Sequence, residues 1–382
     1  MTSPALAVAP FDTWPVRRPA RSLSFYRCGG GPIAAHDLQS RASVAQGLAD
    51  FLGYAHASPS GPEHPPAPGD FLVPSDTICS LDEARRIGLR GVEDLYGGVV
   101  PHPFVATKVV SHGLVGEGAG APHGWVEALA GRLGNAVLPG YSVFSKDDAW
   151  VAGVRMLANG PVRLKPADGV GGAGQTVATS SRALAAQLDA LESAAFARGL
   201  ALERHLARVE TCSVGRIRVG PQIASYVGKQ RSTRNHRGET VYGGSSLTVI
   251  AGDFDALMRL DPSASLRLAI EQARRYHEVM HEAFPAMFAS RCNYDVAQGV
   301  DASGRRLSGV LEQSWRVGGC SGAELLALRA LKVDPGRVVR ASTHEIYGDA
   351  VVPRKALVLF DGIDPEAGRL VKYATARPHV HA

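Results

Sequence analysis

Apolar and polar positions alternate with two different periods along the first part of the chain, and each period predicts one type of element. Short apolar runs at 22–26, SLSFY, and 70–78, DFLVPSDTI, predict two strands, whereas 38–54, LQSRASVAQGLADFLGY, has the apolar spacing of an amphipathic helix. A second helix is expected after Ser80, because the glutamate that follows it completes a capping box. Residues 21–106 are therefore predicted to form an N-terminal β/α domain.

The pattern changes after that domain, and residues 107–206 are predicted to form a small mixed lobe. Its apolar segments LPGYSVF, at 138–144, and LALERHL, at 200–206, predict strands. Ser145 is a suitable cap for the helical segment that follows it, KDDAWVAGVRML, and a further helix is expected at 182–196. Between these two helices, a glycine-rich segment joins two short strands.

Longer strands follow, and residues 207–382 are predicted to form a C-terminal lobe around an antiparallel sheet. The segments TCSVGRIRVG and QIASYVGKQR alternate in the manner of strands with one buried face. The other predicted elements are a helix at 264–284, strands at 290–298 and 307–315, and a helix at 321–331. The polar segment 228–244, GKQRSTRNHRGETVYGG, is predicted to be a basic loop. The fold class is thus a mixture of α+β and α/β.

Composition narrows the class of protein. The chain has 382 residues, of which 45% are hydrophobic and 20% are charged, so an ordinary soluble globular protein is expected. A net charge of +5 is small for this length, and the sequence has no RNP, zinc-finger or basic-zipper pattern, so we expect no nucleic-acid partner. No apolar run is long enough to cross a membrane. The Pro-rich residues 1–20 are expected to be loose.

The five cysteines are scattered along the chain, and none of them belongs to a C-x-x-C pair. This distribution argues against a disulfide framework or a zinc site, and it indicates a reducing compartment. We therefore expect the protein to be cytoplasmic. The sequence leaves the oligomeric state open, with a homodimer as one option.

The segment at 162–181, VRLKPADGVGGAGQTVATSS, contains the first candidate chemistry. Lys165 precedes a loop whose glycines are Gly169, Gly171, Gly172 and Gly174. A dinucleotide fingerprint would need a helix directly after the loop, a Walker A loop would end in Gly-Lys-Ser/Thr, and a kinase glycine loop would precede its lysine. The remaining interpretation of this segment is a glycine-rich hairpin between two strands. Such a hairpin either offers backbone N–H groups to phosphates or is a mobile surface hairpin.

Two glutamates near the end of the small lobe are a second candidate site. Glu203 ends a predicted strand and Glu210 begins the next one, with Leu206 between them. A carboxylate at the position of Glu210 is suited to accept hydrogen bonds from both hydroxyls of a ribose. The alternative is that both glutamates are solvated surface residues.

A third candidate site consists of carboxylates on adjacent predicted strands. Asp295 and Glu312 each share a strand face with other polar residues. Two carboxylates close together are costly unless a cation lies between them. Magnesium takes oxygen ligands, commonly one or two carboxylates together with substrate phosphates. The alternative is an ion-pair cluster in which Arg291 and Arg316 neutralise the carboxylates.

Together these segments resemble the ATP-grasp superfamily over more than half of the chain, from about Lys108 to Leu328. Five segments carry the resemblance, and they occur in the order typical of the superfamily. They are Lys108, the segment LPGYSVFS, the strand and glycine loop RLKPADGVGGAGQ, the hinge LERHLARVE and the final segment LEQSWRVGGCSG. The resemblance implies the ATP-grasp fold, in which two α+β lobes clasp a nucleotide, with a β/α domain in front. The chain is most similar to a bacterial branch of that superfamily, for which the resemblance implies no particular substrate.

The resemblance also implies cofactors and roles for single residues. The cofactors would be ATP and Mg²⁺, with Mn²⁺ as an alternative. The nucleotide-binding residues would be Lys108, Lys165, Gly169, Gly171, Gly172, Gly174, Glu203 and Leu206 at the adenine, and Glu210 at the ribose. The metal ligands would be Asp295, Glu312 and Ser314. Ser314 stands where the superfamily usually has asparagine.

The implied activity is that of a ligase that activates a small, acidic carboxylate substrate as an acyl phosphate, for attack by an amine or a similar nucleophile, and releases ADP and phosphate. Arg316 is expected to hold the carboxylate, and Lys229 and Arg231 of the basic loop are expected to clamp the γ-phosphate or an acidic substrate. Two other functions stay open. One is a small-molecule kinase. The other is a non-catalytic nucleotide sensor, which is favoured by Ser314 and by Asn293, because Asn293 stands where many carboxylate ligases of the superfamily have arginine.

Overall fold

The computed structural model describes residues 21–29, 33–167, 169 and 174–378. The predicted loose segment 1–20 and two glycines of the predicted phosphate loop, Gly171 and Gly172, lie outside the described residues. The described chain forms a three-stranded, a four-stranded and an eight-stranded sheet, one after the other along the sequence. None of the helices in this described part is both long and apolar enough to cross a lipid bilayer.

The first segment is a small parallel β/α unit. Its elements are β1 (Ser22–Tyr26), α1 (Ala35–Leu52), β2 (Ala55–His56), β3 (Phe71–Pro74), α2 (Leu81–Arg86) and β4 (Gly98–Val99). β1 is the central strand of the sheet, whose order is β2-β1-β3. The strands and helices predicted here are confirmed, and the Ser80 hydroxyl accepts a hydrogen bond from the Glu83 backbone N–H, as expected of a capping box.

The second segment, which we call the small lobe, contains a four-stranded antiparallel sheet and several helices. Its elements are α3 (Leu129–Leu133), β5 (Gly140–Val143), α4 (Lys146–Leu157), β6 (Val162–Pro166), β7 (Thr176–Ala178), α5 (Ser181–Asp189), α6 (Ser193–Arg198) and β8 (Leu200–Arg204). The strand order is β5-β8-β6-β7. The single helix predicted at 182–196 is wrong, because Glu192 has extended backbone dihedrals (φ −70°, ψ 151°) that separate α5 from α6.

The third segment is built on the eight-stranded antiparallel sheet, which we call the large sheet. Its elements are β9 (Ala207–Val219), β10 (Gln222–Arg234), β11 (Thr240–Ala251), α7 (Phe254–Met258), α8 (Ala264–Ala283), β12 (Phe288–Ala289), β13 (Arg291–Val300), β14 (Arg306–Ser314), α9 (Ser321–Val333), β15 (Val339–Tyr347), β16 (Leu357–Asp364) and β17 (Gly368–Pro378). The short β12 pairs with β4 outside that sheet. The strand order of the large sheet is β14-β13-β9-β10-β11-β15-β17-β16.

The basic segment 228–244 is a hairpin, and its prediction as a loop is wrong. β10 continues to Arg234, and its residues pair with β11 on the other side of a short turn. The Asn235 side-chain oxygen closes this turn by accepting hydrogen bonds from the backbone N–H groups of Arg237 and Glu239. Strand pairing uses backbone groups, so the polar composition of this segment did not prevent it from forming strands.

Helices cover both faces of the large sheet. On one face, Val214 of β9 belongs to the same core as Tyr276 of α8. On the other face, Ile217 of β9 shares a core with Leu48 of α1 and Leu328 of α9. Val214 and Ile217 face opposite sides because side chains alternate along a strand. The helix α1 of the first segment is therefore part of the hydrophobic core of the third.

Candidate active site

A cleft of about 1340 Å³ opens between the small lobe and the large sheet. Lys165 and Glu203 line it on the small-lobe side, and Asp295 and Glu312 line it on the side of the large sheet. The cleft then continues to α1, which contributes Arg41. Small-molecule sites commonly occupy roughly 300–1,000 Å³, so the cleft has room for a nucleotide and a second ligand.

Lys165 lies at the small-lobe end of this cleft. Its strand, β6, turns Val162 and Leu164 into the small-lobe core, while Lys165 lies on the opposite, cleft-facing side and is only 2% exposed. The ammonium group donates to Glu203 Oε2 (2.7 Å) and, across the cleft, to the backbone oxygen of Leu311 in β14 (3.3 Å). The second bond ties the small lobe to one of the strands of the predicted metal site.

Glu203 is the centre of a buried ionic group. Its carboxylate is 1% exposed, accepts from Lys165, and lies 3.0 Å from His112 Nε2. Burial disfavours the charged form, but Lys165 and His112 outweigh that effect and lower the pKa of Glu203 to about 2. Sequence analysis predicted Glu203 at the adenine and missed His112. An adenine amino group would have to share this carboxylate with both partners.

Lys108 connects the glycine loop to the large sheet. It begins a short 3₁₀ helix, Lys108–Ser111, and donates to the backbone oxygen of Gly169. Its Nζ atom lies 3.5 Å from Glu312 Oε2. Gly174 at the other end of the loop has a φ of 71°, which favours glycine. The structure thus brings the first predicted nucleotide lysine to the predicted metal ligand.

Leu206, Glu210 and Lys229 lie farther along the cleft wall. Leu206 is buried and lines the cleft, as an adenine contact requires. Glu210 of β9 accepts from Lys229 Nζ of β10 at 2.6 Å, and both side chains are exposed. Sequence analysis gave these two residues separate roles, at the ribose and at an anion. The structure joins them in one ion pair, so a ligand that used either residue would have to compete with the other.

Asp295 and Glu312 are cross-strand neighbours in β13 and β14. Asp295 Oδ1 accepts from Asn293 Nδ2 (2.8 Å) and from Ser213 Oγ (3.1 Å). Burial, and next the charge of Glu312, raise the pKa of Asp295. Two opposed carboxylate groups that repel each other fit a hard cation such as Mg²⁺, which takes oxygen ligands and completes its shell with phosphate and water.

Ser314 is already engaged by a neighbouring cation. It lies opposite Asn293 in the β13–β14 pair, and its Oγ atom accepts from Arg291 Nη1 (3.2 Å). Arg291 is 1% exposed and forms an ion pair with Glu324 of α9 at 2.8 Å. The alternative in which Arg291 neutralises Asp295 and Glu312 is therefore wrong, because its guanidinium group is directed to α9.

Glu324 is the main residue that sequence analysis missed. Tyr96 donates its hydroxyl group to this carboxylate, and Tyr226 OH lies within hydrogen-bond distance of two acceptors, Glu324 Oε1 at 2.6 Å and Asn293 Oδ1 at 2.9 Å. Tyr226 has one hydroxyl proton and serves one of these acceptors at a time. Polar contacts, and not an unbroken chain of hydrogen bonds, therefore link Glu324 through Tyr226 and Asn293 to Asp295. The only local sign of this role is a single glutamate within the apolar helical sequence SGAELLALRAL.

Arg316 and Arg231 lie on the side of the cleft nearer to α1. Arg316 Nε is 3.5 Å from Asp76 Oδ1, and its Nη1 atom donates to the Val317 backbone oxygen. Arg231 Nη2 donates to the Thr343 backbone oxygen at 2.6 Å, which holds the arginine against β15. Both guanidinium groups line the cleft. Arg231 is exposed, and its hydrogen bond to Thr343 joins it to β15, the strand next to the β10–β11 hairpin.

Solved structures with this arrangement of lobes are ATP-grasp enzymes. The biotin carboxylase domain of 2-oxoglutarate carboxylase from Hydrogenobacter thermophilus, a dimer in complex with MgADP, ADP and bicarbonate, is 12% identical, with a TM-score of 0.51 over 93% of this chain and 86% of that chain. The biotin carboxylase–ATP complex from Campylobacter jejuni is 11% identical, with a TM-score of 0.50 over 93% of this chain and 87% of that chain. The chain therefore has the ATP-grasp fold, as the sequence resemblance predicted.

Within that fold class, the chain belongs to the family described as "Protein of unknown function (DUF3182)", whose profile matches residues 30–374. A search of curated proteins found no match. The fold comparisons do not test the roles predicted for single residues, and these roles therefore stay predictions.

Proposed function

We propose that the protein is an ATP- and Mg²⁺-dependent ligase that activates a small-molecule carboxylate as an acyl phosphate. The observation that carries this proposal is that Lys108 Nζ lies 3.5 Å from Glu312, which lines the cleft together with Asp295 and Lys165. Cations from the small lobe and carboxylates from the large sheet thus converge on one place. A nucleotide triphosphate with a divalent cation has the charge pattern that such a place complements.

The proposed roles of the residues follow from their positions. Lys108 and Lys165 would neutralise the phosphate oxygens, and the backbone N–H groups of the glycine hairpin would cover them. Asp295 and Glu312 would hold magnesium, which supplies positive charge to the β- and γ-phosphates. A carboxylate oxygen of the substrate would attack the γ-phosphorus as ADP leaves. An amine would then attack the acyl carbon, lose a proton and release phosphate.

Arg316 supports the assignment of a carboxylate as the substrate. Its guanidinium group lines the cleft that also contains the β13–β14 carboxylates, and it can bind a planar anion through two hydrogen bonds. The Hydrogenobacter thermophilus domain holds bicarbonate together with MgADP, and bicarbonate is an anion of the same planar geometry. We place the protein in the cytoplasm, because all five cysteines are free thiols.

Replacing Glu312 with glutamine is expected to remove most of the magnesium dependence of ATP binding. The substitution deletes one of the two opposed carboxylates, whereas Ser314→Ala deletes a hydroxyl group that already accepts from Arg291. Calorimetric titration with ATP at several magnesium concentrations measures the difference. Ser314→Ala is the matched control and should keep most of the dependence. An unchanged magnesium dependence in Glu312→Gln would rule out this metal site.

The reaction itself is tested with heavy oxygen. Pools of metabolites are first screened for those that stimulate ADP release from the purified protein. The active carboxylate is then labelled with ¹⁸O, and one label per turnover is expected in inorganic phosphate, because the acyl phosphate forms through a carboxylate oxygen. Unlabelled phosphate would reject this route, and phosphate found on the acceptor would indicate a kinase. The absence of turnover with every pool would indicate a sensor.

A further inference from the structure

The cleft extends past Arg316 into a region that the proposed chemistry does not use. We call this region the far compartment and define it by four charged residues: Asp37 and Arg41 of α1, Glu345 of β15 and Lys372 of β17. Two of its walls come from strands that sequence analysis did not predict, and the third comes from the first helix of the chain. All four residues line the same continuous cleft as Lys165 and Glu312.

Lys372 is the centre of the far compartment. It is 4% exposed, and its Nζ atom lies 2.7 Å from Asp37 Oδ1 and 3.1 Å from Glu345 Oε2. One ammonium group is thus shared by two carboxylates. His36 Nδ1 lies 3.1 Å from Asp37, and Arg41 reaches Asp37 at 4.0 Å, so Asp37 has two basic neighbours besides Lys372. Burial raises the pKa of Glu345, although Lys372 opposes this effect. Within the described part of the chain, Glu345 forms its ion pair with Lys372, which it shares with Asp37.

Arg41 connects the far compartment to the proposed reaction site. Arg41 and Arg316 line the same cleft, and burial, and next the positive charge of Arg316, lower the pKa of Arg41. Arg41 is also the cation at 4.0 Å from Asp37. The cleft wall therefore carries positive charge at Arg316 and Arg41, and it carries two carboxylates, Asp37 and Glu345, that share the single ammonium group of Lys372. A ligand with a carboxylate and an ammonium group would complement the guanidinium groups with the first and the shared carboxylates with the second.

We propose that the far compartment binds the ammonium group of an amino-acid substrate whose carboxylate lies at Arg316. Asp37 and Glu345 are the residues that select for the amine, and Lys372 holds the two carboxylates in place. This inference rests on the proposed function, because that function places the reacting carboxylate at Arg316. The inference adds two statements to that function: the substrate is an amino acid, and residues of the strands β15 and β17 contribute to its recognition.

The test compares two pools of small molecules as probes in saturation-transfer NMR with the full chain. One pool contains the protein amino acids with β-alanine and 4-aminobutyrate, and the other contains acids without an amine, namely acetate, propionate, butyrate and succinate. We expect binding from the first pool and little from the second. Binding of the amine-free acids that equals or exceeds that of the amino acids would overturn the inference, and so would the absence of binding from both pools.

Variants then assign the selectivity to residues. Glu345→Gln is expected to weaken the strongest amino acid by about 10- to 100-fold, as for the loss of a charge-assisted hydrogen bond, and Asp37→Asn, on a different element, is expected to act in the same direction. Asp349→Asn is the control, because Asp349 is exposed and pairs with Arg369 outside the cleft. Thermal melting checks that each variant is folded. Unchanged affinity in both Glu345→Gln and Asp37→Asn would overturn the inference.

A separate titration with Mg–ATP keeps the two proposals distinguishable. If Mg–ATP does not bind, but the amino acids bind and their binding depends on Glu345, the ligase proposal is rejected and the amino-acid site is retained. If Mg–ATP binds, but only the amine-free acids bind with it, the ligase proposal is retained and the assignment of an amino-acid substrate is rejected.

Discussion

Glu324→Ala is expected to lower the free energy of unfolding by about 3–5 kcal/mol, the cost of breaking a buried ion pair by removing one partner. Arg291 would keep its charge without the carboxylate that now lies 2.8 Å away, at a position where the arginine is only 1% exposed. Tyr96 and Tyr226 would also lose their hydrogen-bond acceptor. Chemical denaturation followed by circular dichroism measures the change.

Two companion variants make this result specific. Glu278→Ala removes a glutamate from an exposed pair with Arg274 and is expected to cost no more than about 1 kcal/mol. The double variant Arg291→Met with Glu324→Leu replaces both charges and is expected to recover part of the lost stability, because Tyr96 and Tyr226 still lack their acceptor. A loss below about 1 kcal/mol for Glu324→Ala would show that the pair contributes less than its burial implies.

Lys165→Ala is expected to weaken the binding of Mg–ATP by about 1.5–3 kcal/mol, the range for hydrogen bonds to charged groups. The lysine is the buried cation of the small-lobe wall and faces the cleft from the strand before the glycine loop. Isothermal titration calorimetry measures the change. Lys146→Ala is the control, because Lys146 lies in the same lobe and pairs with Asp189 on the surface. Equal affinities for ATP in the wild type and Lys165→Ala would remove Lys165 from the site.

Removing Lys165 also leaves Glu203 as a buried charge without its lysine partner. The Lys165→Ala variant could therefore lose affinity for ATP because the small lobe is destabilised. The double variant Lys165→Ala with Glu203→Gln separates the two effects. It removes the carboxylate charge that would otherwise remain buried beside His112, and it is expected to regain stability without regaining affinity for ATP. Recovery of both properties would indicate that the lysine acts on binding only through the folding of the small lobe.

Local patterns were sufficient to predict which side chains share a strand face. Asp295 and Glu312 were placed on adjacent strands by alternation, and the structure makes them cross-strand neighbours. The same reasoning placed Lys165 opposite the apolar residues of β6. The ATP-grasp fold was predicted from motifs in the right order and is confirmed, whereas the binding roles of these residues stay predictions.

Local patterns could not predict the partners of buried charges. His112 and Glu203 are 91 residues apart, and Arg291 and Glu324 are 33 residues apart, so tertiary packing decides these pairs. Sequence analysis predicted no strands at the positions of β15, β16 and β17. We attribute this failure to the charged residues on the buried side of these strands. Lys372 of β17 is buried between the buried residues Val371 and Tyr373, so it interrupts the continuous apolar run typical of a strand with both faces covered.

The contact between α1 and the strands near the end of the described chain also sets an order of events during synthesis. Asp364 accepts from the backbone N–H of His36, 328 residues earlier, and Lys372 pairs with Asp37 across 335 residues. A ribosome adds ~5–20 residues per second, so α1 must wait roughly 15–65 seconds before these partners exist. Until α9 and these strands exist, the core that Leu48 of α1 shares with Leu328 of α9 stays incomplete, although Ile217 of β9 is already present. The nascent chain therefore presents a segment that chaperones can bind throughout most of its translation.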